Sequence, residues 1–156
     1  MFQREMFSNM IRNAQWMGAG CMAVVHAVDD EWVHKYAPSR DGTCNYLEWC
    51  IAETAAGRKL SAMPEIDFLV HTAQVYIVVM RRYTAWGYAH SPLTDNVLAT
   101  ASAYRAYMDT TFGRDYYADD IHCGNVMRRA DGSAVLTDPC VSAYKSSPIV
   151  DKFVLQ

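Results

Sequence analysis

The sequence lacks the features of a membrane protein and of a disulfide-stabilised secreted protein. No apolar run approaches the roughly 20 residues that a transmembrane helix needs. The opening stretch MFQREMFSNMIRNAQ carries polar residues throughout and lacks the apolar core of a signal peptide. The 5 cysteines are odd in number and form no C-x-x-C pair, unlike a disulfide framework or a zinc site. We therefore expect reduced, mostly buried thiols, no membrane association and a cytoplasmic location.

An excess of charge of one sign is also lacking. The net charge is −3, which provides no general attraction to nucleic acid or to a membrane surface. The 4 tryptophans are spread out and are not interleaved with basic residues, so no direct nucleic-acid binding is expected. There are no repeats or low-complexity tracts. The 51% hydrophobic content of the 156 residues indicates one folded domain, or two small lobes that share a core.

The spacing of apolar residues predicts a mixture of strands and helices. The predicted elements are a helix at 2–14, strands at 15–17, 22–28 and 31–36, a helix at 44–58 with Thr43 as its N-cap, strands at 68–71 and 74–80, a helix at 95–112 and a hairpin around 128–137. The predicted apolar side of the last helix consists of Val97, Leu98, Ala101, Tyr104, Ala106 and Met108. This order indicates an α+β fold with two layers.

A set of carboxylate and amide side chains follows the last predicted helix. Asp120 and Asn125 stand five residues apart, and Asp138 follows thirteen residues after Asn125. Phosphoryl transfer from a nucleotide uses such a set, because one carboxylate orients the attacking hydroxyl while an amide and a second carboxylate hold Mg²⁺. The spacing predicts Asp120 as catalytic and the other two as metal ligands. Turn chemistry and a strand end explain each residue singly, but not both spacings together.

Glycines between two predicted strands offer a turn that could bind phosphates. The pattern Gly18-x-Gly20-x-x-Ala23-x-Val25 allows backbone N–H groups to point at a triphosphate. A plain hairpin turn has the same composition. The turn lacks the G-K-[ST] ending of a P-loop, which disfavours that class of NTPase. Lys35 lies in the next predicted strand, where its ammonium group can reach phosphates or extend into solvent at a strand edge.

Two glutamates of the predicted helix 44–58 could pair with Lys35. Glu48 flanks the apolar stripe of the helix and is the first candidate, and Glu53 is the alternative. Either glutamate could instead be a solvated charge on the helix surface.

Other polar residues lie close to the Asp120 loop. His122 is expected to brace that loop through a local hydrogen bond. Cys123 and Cys140 flank the candidate site, and we interpret both as structural thiols. A different chemistry, metal-dependent hydrolysis, would use Asp119, Asp120, His122 and Asp138. That hypothesis leaves the glycines and Lys35 without a role.

Taken together, these motifs resemble the protein-kinase-like fold. The glycine turn, strand lysine, helix glutamate, Asp-x-x-x-x-Asn and later Asp follow its order over residues 15–145. The segments most similar to the early serine/threonine protein kinases of T-odd podophages are 16–20, 33–35, 46–50, 120–127 and 137–139. The resemblance implies a minimal bilobed fold, ATP and Mg²⁺ as cofactors, host protein hydroxyls as acceptors, and action in the cytoplasm of a bacterial host.

The resemblance also assigns roles to individual residues. The implied catalytic residues are Asp120, Lys35 and Glu48, the nucleotide-binding residues are Gly18, Gly20, Val25, Lys35 and Met80, and the metal ligands are Asn125 and Asp138. Residues 1–80 would form the nucleotide lobe, 81–83 a hinge, and 84–156 a truncated helical lobe.

Three positions depart from the usual protein-kinase pattern. Ala118-Asp119 stands where most protein kinases have His-Arg, Asp138-Pro139-Cys140 stands for Asp-Phe-Gly, and Ala23 stands for the third glycine. Since 18 residues follow Asp138, we expect no long activation segment. The sequence thus predicts a serine/threonine protein kinase that modifies host proteins during infection. The alternative is a pseudokinase-like binding protein that inhibits a host enzyme or defence factor by docking.

Overall fold

The computed structural model describes residues 15–19, 23–37, 42–71, 76–86, 93–113 and 117–142. Within these ranges the elements are β1 (Gln15–Ala19), β2 (Val24–Ala27), β3 (Trp32–Ala37), α1 (Gly42–Ala55), β4 (Ile66–His71), β5 (Tyr76–Arg81), β6 (Thr84–Ala85), α2 (Asp95–Thr111), β7 (Tyr117–Asp119), β8 (Val126–Arg128), β9 (Ala134–Leu136) and β10 (Cys140–Ser142). The predicted helix at 2–14 and Gly20 lie outside the described residues. No helix within the described ranges is long and apolar enough to cross a membrane.

Five strands form one antiparallel sheet in the order β1-β2-β3-β5-β4. The strands predicted at 31–36, 68–71 and 74–80 are confirmed, with ends that differ by one or two residues. Strand β5 lies inside the sheet and is buried from Tyr76 to Met80, as its β-branched run predicts. The antiparallel sheet and the two helices establish the α+β class.

One face of this sheet carries a row of aromatic and histidine side chains. Directly opposite residues on antiparallel strands point to the same side. Trp16 lies opposite His26, His26 opposite His34, and His34 opposite Val79. The two histidine rings stack with their centroids 4.8 Å apart. Burial, and secondarily the neighbouring His26, lower the pKa of His34 below its ordinary value.

A polar cluster secures one end of the sheet. The Asp29 carboxylate accepts hydrogen bonds from the backbone N–H groups of Glu31 and Trp32, both at 2.8 Å, and so closes the turn before β3. The Arg81 guanidinium pairs with the carboxylates of Glu31 and Glu65 and lies 4.7 Å from the centroid of the Trp32 ring. These contacts join the ends of β3 and β5.

Strand β1 continues further than the sequence predicts. The sequence predicted a strand at 15–17 and a turn at 18–20, but Gly18 belongs to β1 and pairs with Val25. An irregularity in register between Trp16 and Gly18 makes this longer pairing possible. A Cβ built at Gly18 meets no atom within 4 Å, and the φ of Gly18 lies outside the left-handed region. The backbone at position 18 therefore does not require glycine.

The boundaries of α1 differ from the prediction at both ends. The helix runs over Gly42–Ala55, so Thr43 lies inside it instead of capping it, and the helix ends before the predicted Arg58. Gly57 has a φ of +73°, and the Arg58 N–H donates to the Glu53 carbonyl at 2.8 Å. This arrangement is a Schellman motif, in which a left-handed glycine terminates the helix.

Helix α2 is confirmed, and four of the six residues predicted on its apolar side are buried, whereas two are exposed. The buried residues are Val97, Thr100, Ala101, Tyr104 and Met108. Leu98 is 47% exposed and Ala106 is also exposed, so both predictions were wrong. The buried positions recur at intervals of three and four residues, which places position 98 beside the stripe and position 106 on another side of the helix.

Aromatic rings pack α1 against α2. The ring of Tyr104 lies 5.0 Å from that of Tyr46 and 5.3 Å from that of Trp49, measured between centroids. Trp49 also stacks on Tyr107 at 6.2 Å. Tyr46, Trp49 and Tyr104 are buried, and aromatic pairs in such tilted and edge-on arrangements stabilise a core beyond the area that they bury.

The chain divides into two compact units. The described residues of the first unit lie within 15–37 and 65–82, and those of the second lie within 42–64 and 83–142. The first unit contains the five-stranded sheet. The second contains both helices, so α1 groups with the later part of the chain, whereas the predicted first lobe 1–80 included it. The predicted lobes and the hinge at 81–83 stay a prediction.

Candidate active site

The loop 120–125 connects two small sheets of the second unit. Before the loop, β7 pairs with β10, which places Asp119 opposite Cys140. After it, β8 lies between β6 and β9, which confirms the predicted hairpin. Strands β9 and β10 flank Asp138 in the sequence, and they pair with β8 and β7 on the two sides of the loop. Strand pairing therefore returns Asp138 to the loop.

Asp120 and Asn125 are in direct contact. The Asn125 Nδ2 donates to the Asp120 backbone oxygen at 2.7 Å and to Asp120 Oδ2 at 3.0 Å. Only the nitrogen of an amide can donate to these two oxygens, so the amide oxygen Oδ1 points away from them. Both side chains are half-buried. The carboxylate is therefore held by the residue five positions later.

Asp138 is placed beside this pair by its two neighbours in sequence. The backbone N–H and the hydroxyl of Thr137 both donate to the Asn125 carbonyl at 2.9 Å. On the other side, the Asp120 N–H donates to the Pro139 carbonyl at 3.0 Å. The half-buried Asp138 thus lies between two residues that are bonded to Asp120 and Asn125. The structure brings these three predicted residues together.

His122 braces the loop, as the sequence predicted. The Gly124 N–H donates to His122 Nδ1 at 3.0 Å, and the N–H groups of Asn125 and Val126 donate to the His122 carbonyl at 2.9 and 3.1 Å. The other ring nitrogen, Nε2, lies 3.5 Å from Asp120 Oδ1. The histidine therefore serves the loop through both its backbone and its ring.

Distant residues anchor the hairpin that carries Asp138. The Leu136 N–H donates to the Ala62 carbonyl at 2.9 Å, and the buried Tyr46 hydroxyl donates to the Leu136 carbonyl at 2.9 Å. Arg129 donates to the Met63 carbonyl at 2.7 Å. The last two bonds join residues 90 and 66 positions apart, so no local pattern in the sequence marks them.

Thr137 is the site residue that sequence reasoning missed. Its two hydrogen bonds to the Asn125 carbonyl join the end of β9 to the end of the loop. A hydroxyl residue directly before an aspartate at a strand end is the only sequence signal for this role. That signal is weak, because serine and threonine are common where strands end in turns.

The predicted nucleotide-binding residues that the structure describes share one face of the five-stranded sheet. Gly18, Val25 and Lys35 are successive partners across β1, β2 and β3. Val33, two residues before Lys35, pairs with Met80 on β5. Cross-strand partners and next-but-one residues lie on the same side of a sheet. Val25 and Lys35 are half-buried and Met80 is buried.

The two candidate glutamates of α1 have different surroundings. Glu53 makes two hydrogen bonds to Arg58, one to each carboxylate oxygen, both at 2.7 Å. These bonds lower the pKa of Glu53 below its ordinary value. Glu48, five residues earlier on the helix, is half-buried. Because both oxygens of Glu53 are engaged by Arg58, Glu48 is the better candidate for another cation.

One residue of the hydrolysis hypothesis, Asp119, is engaged by a different partner. The Asp119 carboxylate lies 3.3 Å from an Arg105 nitrogen. Among the residues that the structure describes, no three His, Cys, Asp or Glu side chains are grouped to hold a metal ion.

The cysteines with described side chains behave as structural thiols. Cys44 and Cys50 are buried thiols, and Cys123 is a half-buried thiol. Burial raises the pKa of the Cys50 thiol far above its ordinary value, so Cys50 remains a neutral, unreactive thiol.

No protein family model matches the sequence, and no curated protein matches it. Among solved structures, the chain is similar to a co-crystal structure of WbdD and the kinase inhibitor LY294002, with 17% identity and a TM-score of 0.43, over 80% of this chain and 31% of that chain. It is also similar to a high-resolution crystal structure of WbdD, with 16% identity and a TM-score of 0.43, over 86% of this chain and 34% of that one. The chain spans about a third of both neighbours, and similarity at this level carries no argument about function.

Proposed function

We propose that the protein catalyses phosphoryl transfer from ATP to a hydroxyl group. One observation carries the proposal: Asn125 holds the Asp120 carboxylate through Nδ2 at 3.0 Å, while backbone bonds on both sides of Asp138 keep that residue beside the pair. A carboxylate that is held but still 37% exposed can receive a substrate hydroxyl. An amide oxygen turned outward and a second carboxylate are the remaining parts that such a site needs.

In the proposed reaction, Asp120 orients the acceptor hydroxyl. The hydroxyl oxygen bonds to the γ-phosphorus of ATP, the bond from that phosphorus to the bridging oxygen breaks, and ADP leaves with the bond electrons. The hydroxyl proton passes to the Asp120 carboxylate late in the transfer. Positioning supplies most of the acceleration in this chemistry, and the contact with Asn125 contributes to it by fixing the carboxylate.

The residues around Asp120 suit a magnesium ion. Asn125 through Oδ1 and Asp138 through its carboxylate would hold Mg²⁺, which supplies charge neutralisation at the phosphates when bound. Both ligands are hard oxygen donors, which Mg²⁺ prefers over nitrogen and sulfur. The outward orientation of Oδ1 follows from the two hydrogen bonds of Nδ2.

We assign nucleotide binding to the face of the sheet that carries Lys35. The register that places Gly18, Val25, Lys35 and Met80 on that face supports the assignment. The resemblance implies that Lys35 pairs with the ATP phosphates and that Glu48 is the partner of the lysine, and both roles belong to this proposal. For Gly20 the resemblance implies nucleotide binding, and that role is also part of this proposal.

The resemblance to podophage kinases suggests the acceptor. We propose that it is a serine or threonine hydroxyl of host proteins, modified in the bacterial cytoplasm during infection. The similarity of segments 120–127 and 137–139 supports this proposal.

The test compares two adjacent carboxylates. Purified wild type, Asp120→Asn and Asp119→Asn are incubated with radiolabelled ATP, Mg²⁺ and bacterial lysate, and labelled proteins are analysed for phosphoserine and phosphothreonine. We expect Asp120→Asn to reduce transfer about 10²–10⁴-fold, the usual contribution of a positioned acid or base. Asp119→Asn is the matched control, because that carboxylate contacts Arg105 instead, and it should keep wild-type transfer.

Equal activity of wild type and Asp120→Asn, or no transfer by either, contradicts the proposal. A thermal-shift measurement with ATP, with and without Mg²⁺, then separates the remaining possibilities. Stabilisation by ATP without transfer supports the pseudokinase-like alternative, in which the protein docks onto a host enzyme and inhibits it.

A further inference from the structure

His122 contacts the candidate site through both nitrogens of its ring. Nδ1 accepts a hydrogen bond from the Gly124 N–H at 3.0 Å, while Nε2 lies 3.5 Å from Asp120 Oδ1. The opposite carboxylate oxygen, Oδ2, is the one that Asn125 holds. The two oxygens of Asp120 therefore face two different side chains of the same loop.

The contact with Gly124 determines which nitrogen of His122 carries the proton. A neutral imidazole has one N–H donor and one acceptor nitrogen. Because Nδ1 accepts from Gly124, the proton of the neutral ring must be on Nε2. That N–H is the ring donor closest to Asp120 Oδ1, and hydrogen bonds in unliganded sites are often long and shorten when substrate binds.

The loop leaves room for this ring because position 124 is glycine. A Cβ built at Gly124 lies 2.8 Å from His122 Cε1 and 3.1 Å from Nδ1. Any side chain there would push the ring away from the Gly124 N–H, and so away from the orientation that faces Asp120. Two observations, the accepted hydrogen bond and the steric limit at position 124, thus define one position of the ring.

We propose that His122 is a positioning residue for Asp120. In its neutral Nε2–H form, the ring holds Asp120 Oδ1 while Asn125 holds Oδ2, so the carboxylate presents a fixed orientation to the acceptor hydroxyl. The catalytic part of this inference rests on the proposed phosphoryl transfer. The contact between the two side chains does not, and it can be measured in the resting protein.

The first experiment determines the tautomer of His122. Long-range proton–nitrogen NMR spectra of the wild type, recorded at a pH at which imidazole is neutral, distinguish an Nε2–H ring from an Nδ1–H ring. We expect Nε2–H, and we expect the Nε2 signal to shift in Asp120→Ala. Assignment comes from the signal that is lost in His122→Gln. An Nδ1–H ring, or an Nε2 signal that Asp120→Ala leaves unchanged, overturns the inference.

The second experiment separates positioning of Asp120 from bracing of the loop. His122→Asn keeps an acceptor near the place of Nδ1 and loses the donor toward Asp120. His122→Gln keeps a donor near the place of Nε2 and loses the acceptor for Gly124. We expect His122→Asn to reduce kcat about 10-fold, as loss of one hydrogen bond to a charged group implies, with the KM for ATP unchanged. His122→Gln should retain most of kcat.

The reverse order of the two variants, or equal kcat values for them, overturns the inference, because a residue that only braces the loop needs its acceptor most. Failure of the proposed function is distinguishable from these outcomes. If the wild type transfers no phosphoryl group, the proposed function fails, and the NMR result alone decides whether His122 holds Asp120.

Discussion

At the scale of the residue, the loop 120–125 is defined by polar contacts rather than by apolar packing. Asn125 uses one amide group for two acceptors on Asp120, and its own carbonyl receives two hydrogen bonds from Thr137. Hydrogen bonds to a charged group typically contribute about 1.5–3 kcal/mol, and partial exposure of Asp120 reduces that figure. Asn125 is therefore both a structural and a functional residue of the loop.

Asn125→Ala should destabilise the protein and reduce activity together. The change removes both hydrogen bonds from Nδ2 to Asp120, so we expect the free energy of unfolding to fall by about 1–2 kcal/mol. Urea denaturation of the wild type and the variant measures the difference. Transfer should fall as well, because the Asp120 carboxylate loses the donor to Oδ2.

Asn96→Ala is the matched control for that experiment. Asn96 is exposed in the first turn of α2, and surface substitutions of this kind usually change stability by less than about 0.5 kcal/mol. If both variants have the same free energy of unfolding, the contacts of Asn125 contribute no stability, contrary to our account.

The two glutamates of α1 show why the partner of a single charged side chain does not follow from the sequence. Glu48 and Glu53 could not be separated from the sequence, because both lie on the same predicted helix. The structure separates them through Arg58, which the left-handed Gly57 places against Glu53. The partner of a surface charge depends on where the chain turns after the helix, and helical spacing alone does not specify that turn.

At the scale of the element, α2 shows how a correctly predicted helix with a largely correct apolar side can still leave predicted residues exposed. The sequence predicts the helix itself because polar and apolar residues alternate with a period near 3.6 over seventeen residues. Several apolar residues lie near the edge of the stripe, however, and periodicity does not decide which of them the neighbouring aromatic rings cover. Leu98 is left exposed, whereas Thr100 is buried and satisfies its hydroxyl by donating to the Asn96 carbonyl at 2.9 Å.

Two truncations on α2 test this assignment of faces. Met108 is 1% exposed, whereas Leu98 is 47% exposed. Met108→Ala should reduce the free energy of unfolding by about 2–5 kcal/mol, because it leaves a cavity in the core. Leu98→Ala should change it by less than about 0.5 kcal/mol. Chemical denaturation measures both free energies of unfolding. A larger loss for Leu98→Ala than for Met108→Ala would contradict the assignment of Met108 to the buried side of α2.

At the scale of the whole molecule, the two compact units have different sources of stability. The sheet of the first unit combines buried aliphatic residues with a stacked histidine pair on one face. The second unit has an aromatic core between α1 and α2, and hydrogen bonds such as that from Tyr46 to Leu136 anchor the hairpin. In the first unit, burial opposes the charged form of His34.

Stability should fall as the pH falls below about 6.5, the ordinary pKa of histidine. Burial lowers the pKa of His34 in the folded state, so over this range the unfolded chain binds a proton that the folded chain does not. The free energy of unfolding therefore increases with pH across this window, and it decreases as the solution becomes more acidic. Thermal unfolding at a series of pH values measures the slope in the wild type.

His34→Phe and His34→Gln isolate this contribution. Both variants remove the titrating group, and the first also keeps an aromatic ring opposite His26. Each variant should show a shallower loss of stability between neutral and mildly acidic pH than the wild type. If the free energy of unfolding depends on pH in both variants as it does in the wild type, a group other than His34 causes the loss of stability at acidic pH.

The sequence by itself determined the class of the fold, most element boundaries within one to three residues, and the set Asp120, Asn125 and Asp138. These features depend on the nature of each residue and on its near neighbours, which the sequence displays directly. Tertiary structure alone decided that Gly18 belongs to a strand, that Leu98 of α2 is exposed while Thr100 is buried, and how Tyr46 and Ala62 hold Leu136. Strand register and side-chain packing depend on contacts between residues that are far apart in the chain. Many alternative pairings of such residues have similar energies when each is considered alone, and only the complete set of contacts makes one arrangement stable.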